Sequence, residues 1–133
     1  MRGFIPYSNE DGRVSPWEYL PCGAITPKLG MALYQSSGNL VIATGTTKPT
    51  YISMVEKSAA CTAGDLIPVI KVQPDQIFEC TTSASLSGVP IGSKVTLHAS
   101  NGLQITGTTS SGVATIVAKD GDASGSRCLV RFD

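Results

Sequence analysis

The stretch AGDLIPVIKVQPDQIFEC, residues 63–80, decides the fold class. Gly64-Asp65 and Pro74-Asp75 are typical turn sequences, and each introduces a short run of apolar residues. The pattern predicts two short strands connected by a tight turn. Nothing in the stretch resembles a catalytic constellation, so it indicates structure without evident chemistry.

Runs of the same kind recur from Gly23 onward, with turn signals between them. This spacing is typical of an all-β protein, here a compact β-barrel or sandwich of short antiparallel strands. Asn101-Gly102 predicts a type I′ turn, which requires positive φ at both central residues. Pro68 has no backbone N–H, so its strand is expected at a sheet edge or with a bulge. The predicted strands are 31–34, 39–43, 51–55, 66–72, 76–80, 94–98, 103–106, 113–118 and 127–132.

The two halves of the β region resemble each other in sequence. GMALYQSSGNLVIATGTT (30–47) aligns with SKVTLHASNGLQITGTT (93–109) through single-residue gaps. Two interpretations remain open: chance similarity between hairpins, or an internal repeat of about fifty residues. A repeat would give halves 23–72 and 85–133, interlocked around one core because each half alone is too small to be stable. Residues 21–133 are therefore predicted to form a single β domain.

Residues 1–20 differ from this domain in composition. They contain Phe4, Tyr7, Trp17 and Tyr19 and show no regular hydrophobic period. We interpret them as an extended N-terminal arm. Its aromatic side chains are expected to pack either on the chain's own β domain or on a partner.

The composition excludes several classes of function. Ten basic and ten acidic side chains give a formal net charge of zero, so the chain lacks the basic excess of a nucleic-acid-binding protein. No apolar run approaches the ~20 residues of a membrane helix. The N-terminal segment has no signal-peptide core, so we expect synthesis in a cytoplasm and no membrane partner.

The cysteines and polar residues do not indicate a reactive site. Wide spacing favours reduced thiols in the core, with two disulfides as the alternative; the cysteines are Cys22, Cys61, Cys80 and Cys128. His98 is expected at an exposed strand position near a turn, without the acid and hydroxyl partners of a catalytic triad. DGDASG (120–125) lacks the oxygen spacing of a calcium loop and predicts a hairpin tip. We therefore expect no enzyme activity, no metal and no cofactor.

The order of the strand sequences resembles one protein family. LGMALY (29–34), SGNLVIATGTTKPTYISM (37–54), AGDLIPVIKVQPDQIFE (63–79) and the final CLVRF (128–132) are similar to the head-decoration, or capsid cement, proteins of tailed bacteriophages. The similarity covers most of residues 20–133 and is strongest in 30–79. It implies a structural protein, often a homotrimer, on the capsid surface of the virion. Its partner would be the major capsid protein of the expanded head.

The resemblance also gives the N-terminal arm a use as a capsid contact. Because the arm matches the family least, its contact residues are inferred from position; they are Phe4, Ile5, Tyr7, Trp17 and Tyr19. The alternative function is a receptor- or carbohydrate-binding β module of a virion fibre or adhesin. Such a module would present aromatic side chains on loops of the β domain.

Overall fold

The computed structural model describes residues 2–9, 12 and 15–133. Within these residues the regular secondary structure consists of β-strands. The predicted all-β fold is confirmed, and each of the nine predicted strands corresponds to one of β3–β11. The strands are β1 (Ile5–Asn9), β2 (Trp17–Cys22), β3 (Ala32–Ser36), β4 (Asn39–Ile42), β5 (Tyr51–Ser53), β6 (Asp65–Lys71), β7 (Gln76–Thr82), β8 (Lys94–Val95), β9 (Gln104–Ile105), β10 (Ala114–Lys119) and β11 (Arg127–Arg131).

The first half of the chain forms a closed barrel in the strand order β2-β4-β3-β5-β6. β2 runs antiparallel to β6 and parallel to β4, which it meets where Cys22 is in register with Leu40. Alternate residues of each strand point inward and fill this barrel with apolar side chains. Its buried core consists of Cys22, Met31, Leu33, Leu40, Cys61, Ile67, Val69 and Leu103.

The second half repeats this arrangement. β7 pairs antiparallel with β11 and parallel with β9, and β11, β10 and β8 follow in antiparallel order. A bridge between Leu97 and Ile105 connects the end of β8 to β9 and closes the ring. β1 is an additional strand that pairs with β7. The strands β2 to β6 thus correspond in order and direction to β7 to β11.

Local hydrogen bonds support this correspondence. The Gly64 N–H donates to the Cys22 carbonyl at 2.8 Å, and the Gly125 N–H donates to the Thr82 carbonyl at 2.8 Å. Both glycines have positive φ, 97° and 89°. Each structural unit begins with a strand, β2 or β7, that lies outside the predicted halves 23–72 and 85–133. The sequences of β2 and β7 are dissimilar, so these two strands correspond in their backbone pairing and not in their residues.

The two units share one core. Phe4, Ala32, Ile52 and Ile70 pack with Phe78 and other residues of the second unit in a single buried cluster. The loop at Gly102 reaches into the first unit, where its carbonyl accepts the Ala32 N–H at 2.8 Å. The units are therefore held as one packed body.

Two local predictions need correction. Asn101 lacks the positive φ of a type I′ turn; its side chain instead accepts the Leu103 N–H at 2.7 Å. Consecutive positive φ values, 51° and 84°, occur at Ser37 and Gly38, which connect β3 to β4. Pro68 lies in β6 between β2 and β5 rather than at an edge.

The predicted N-terminal arm is part of both units. Residues 5–9 form β1 on the second unit, and residues 17–22 form β2 of the first barrel. We predicted an arm because residues 1–20 show no alternation of apolar and polar residues. The two segments form strands without that alternation, because strands pair through backbone hydrogen bonds. Residues 1, 10, 11, 13 and 14 of the predicted arm lie outside the described part of the chain.

Candidate interaction surface

Three of the five predicted contact residues are exposed aromatic side chains. The exposed fractions are 61% for Tyr7, 57% for Trp17 and 63% for Tyr19. Residues of this size bury most of their surface in a typical monomer, so exposure of three of them is informative. They are the strongest candidates for contact with a partner.

Trp17 and Tyr19 lie on one face of β2, because residues two apart in a strand point to the same side. Tyr19 is in register with Pro68 on β6, and Leu66, two residues away, is 62% exposed on the same face. Trp17, Tyr19 and Leu66 together form what we call the β2 patch. Tyr7 of β1 and Trp17 of β2 both line one shallow hollow on the surface.

Phe4 and Ile5 occupy different environments from the other candidates. Phe4 is fully buried, and its backbone N–H donates to the Gly30 carbonyl at 2.7 Å. It is a core residue, which removes it from the contact surface. Ile5 is half-buried and in register with Glu79 of β7. The exposed aromatic surface of this segment therefore begins with Tyr7.

A second shallow hollow lies beside Tyr7 on the outer face of the second unit. It contains Arg127, whose guanidinium contacts Asp120 at 3.0 Å and Glu79 at 3.5 Å. Arg127 and Asp120 are largely exposed and Glu79 is partly exposed, so their mutual attraction is screened and weak. The hollow thus combines an aromatic ring with polar groups that remain accessible to a ligand.

His98 has a turn-stabilising role. Its Nδ1 accepts the backbone N–H groups of Ser100 at 3.1 Å and Asn101 at 3.2 Å. Within the described residues, no three His, Cys, Asp or Glu side chains are grouped in a way that could hold a metal ion. No helix in that part of the chain is long and apolar enough to cross a membrane.

The four cysteines are free and buried. Burial, followed by a hydrogen bond with Cys61, raises the pKa of Cys22 to about 12. Burial likewise raises the pKa of Cys80, which lies opposite Cys128 on the β7–β11 ladder. Thiols held neutral in this way are poor nucleophiles, and they serve as small core residues.

Comparison with known proteins provides no relative for this chain. No protein-family model, no curated protein and no solved structure matches it.

Proposed function

We propose that this protein is a capsid decoration protein of a tailed bacteriophage. It binds the outer surface of the expanded head and stabilises contacts between major capsid subunits. The observation that carries this proposal is the exposure of Tyr7, Trp17 and Tyr19 on the successive strands β1 and β2. Aromatic side chains are enriched at protein interfaces, where they contribute much of the binding energy. The sequence resemblance supplies the class of partner.

A rigid β protein suits this role physically. The contact strands β1 and β2 are paired with β7 and β6, so the aromatic side chains are pre-positioned before binding. Pre-positioning lowers the entropic cost of association. A ligand that binds the assembled, expanded lattice stabilises that state by mass action. A homotrimer would add several modest contacts into one strong attachment.

Co-sedimentation with phage heads tests whether the protein binds the capsid through the β2 patch. Purified protein is mixed with expanded, undecorated heads and with unexpanded heads of its phage, at low and high salt. We expect saturable binding to expanded heads that decreases only modestly at high salt, because the β2 patch itself is uncharged. Trp17→Ala with Tyr19→Ala is expected to weaken binding, whereas Ile91→Ala, an exposed apolar residue outside β1 and β2, leaves it unchanged. Absence of binding to expanded heads would overturn the proposal.

A receptor- or carbohydrate-binding module is the second candidate, favoured by the hollow beside Tyr7. An aromatic ring next to the guanidinium of Arg127 and the carboxylate of Asp120 matches the mixed surface that sugars bind. Against it, Tyr7, Trp17 and Tyr19 lie on strands rather than on loops. A glycan array separates the candidates: glycan binding lost in Tyr7→Ala, without binding to heads, would favour this second function.

A further inference from the structure

The two units differ in the pairing of their first strands, β7 and β2, along one edge. In β7, the Ser83 N–H donates to the Ile105 carbonyl of β9 at 2.8 Å. Alternate residues of a strand direct their backbone groups to the same edge, so Ile77 and Glu79 face this edge as well. β1 fills it, with Ile5 in register with Glu79.

In the described part of the chain, the corresponding edge of β2 is open. The Gly23 N–H donates to the Leu40 carbonyl of β4 at 2.8 Å, so by the same alternation Trp17 and Tyr19 direct their backbone groups to the β4 side. β4 is in register with β2 at Cys22. Within the described residues, no strand is in register with Trp17 or Tyr19 on this side.

We propose that this open edge binds an extended segment of the partner protein, which adds to β2 as an antiparallel strand. The inference rests on the proposed function and specifies its contact: in a decoration protein the segment belongs to the major capsid protein. The β1–β7 pair is the intramolecular precedent for the geometry. Unpaired strand edges bind extended segments through main-chain hydrogen bonds, and flanking side chains select the sequence.

The side chains beside the edge define the chemistry of the segment. Trp17 and Tyr19 are exposed on one face of β2 and would pack with apolar side chains of the added strand. Glu18 lies between them, half-buried on the opposite face, and has no ion pair among the described residues. A Lys or Arg opposite Glu18 would complement this charge.

Two antiparallel registers of a second copy at this edge create conflicts. If two β2 edges paired with Trp17 opposite Tyr19, one Glu18 would face another, which is a destabilising like-charge pair. If Tyr19 faced Tyr19, Trp17 would face Pro21, which has no N–H to donate. β1 is already paired with β7. A separate basic and apolar strand avoids each of these conflicts.

Hydrogen exchange on the full-length protein tests the inference directly. The protein is compared alone and bound to expanded, undecorated heads, with exchange read in peptides that cover residues 17–20. We expect slower exchange of the Trp17 and Tyr19 amides on binding. Binding without this protection would overturn strand addition while leaving decoration intact. Absence of binding would overturn both.

A pair of variants isolates the backbone contribution. Tyr19→Pro removes an N–H that faces the open edge, whereas Tyr19→Ala removes the side chain and retains that N–H. The Tyr19 N–H faces away from β6, so its loss leaves the hydrogen bonds between β2 and β6 in place. We therefore expect both variants to fold, which thermal unfolding can confirm. We expect Tyr19→Pro to bind expanded heads about tenfold more weakly than Tyr19→Ala, the effect of about one lost hydrogen bond. Equal binding of the two folded variants would contradict the proposal.

Discussion

The ring of Phe4 contacts the ring of Phe132 edge to face, with centroids 5.1 Å apart. Phe132 also packs against Phe78 at 5.5 Å. The contact joins the segment before β1 to the segment after β11 in the shared core. Phe4 thus stabilises the fold, even though Tyr7, Trp17 and Tyr19 of the same N-terminal segment are exposed.

Replacement of Phe4 by alanine should therefore destabilise the protein strongly. Removal of a fully buried phenylalanine leaves a cavity and typically costs about 3–5 kcal/mol in the free energy of unfolding. Urea unfolding monitored by Trp17 fluorescence measures the loss. Tyr7→Ala, an exposed residue on the same segment, is the matched control and should change stability by less than about 0.5 kcal/mol. Similar effects of both substitutions would contradict the core role of Phe4.

The loop at Gly102 is expected to tolerate no side chain. A Cβ at this position would lie 2.7 Å from Cγ2 of Ile42, and the φ of Gly102 is +64°. Gly102→Ala should destabilise through both the clash and the left-handed backbone, by about 2–4 kcal/mol together. Gly38→Ala is the control, because Gly38 has a φ of +84° with no atom within 4 Å of the added Cβ.

The difference between these two glycine variants measures the contact between the units. Thermal unfolding of both proteins gives it directly, since Gly38→Ala carries the backbone penalty without the steric one. If the two variants unfold at the same temperature, the Gly102 loop relaxes away from Ile42, and its close approach does not constrain the fold.

The buried thiols predict a loss of stability at alkaline pH. The pKa of Cys22 is raised in the folded protein from 9.0 to about 12. Above pH 9 the unfolded chain therefore releases the Cys22 proton while the folded chain retains it. The stabilising effect is complete below pH 9 and decreases between pH 9 and 12, at most about 1.4 kcal/mol per pH unit for one thiol.

Urea unfolding at pH 8.0, 9.5 and 10.5 measures this dependence, under reducing conditions. The Cys22→Ala variant lacks the titrating group and should show a shallower decline over the same range. The two proteins differ only at residue 22, so the comparison isolates the contribution of Cys22. Parallel pH profiles for the two proteins would show that Cys22 does not couple to folding.

The strands after Gly23 were predictable from sequence because turn residues punctuate short apolar runs. β1 and β2 were not, because IPYSN and WEYLPC each contain a proline and lack clean alternation. The burial of Phe4 depends on Phe132, at the other end of the chain, and no local pattern reports such a contact. The contact candidates therefore combined one core residue, one half-buried residue and three exposed ones, and only tertiary packing separates them.

The open edge of β2 could not be found from sequence at all. It depends on which backbone groups of Trp17 and Tyr19 face a neighbour, and this is a property of register. The sequence repeat at 30–47 and 93–109 indicated two similar units, but it omitted the first strand of each. The difference between the units lies in those strands.

The charge at Glu18 gives the last prediction. If a basic residue of the partner segment lies opposite Glu18, Glu18→Lys replaces an attractive pair with a repulsive one and should weaken binding to expanded heads by about tenfold or more. Glu18→Gln should have a smaller effect in the same direction. Lys94→Glu, an exposed charge reversal on β8 of the second unit, is the control. Co-sedimentation at several salt concentrations measures all three variants, and salt should reduce the Glu18→Lys defect because screening weakens the repulsion. If Glu18→Lys and Lys94→Glu bind alike, no basic side chain faces Glu18, and the chemistry assigned to the added strand is wrong.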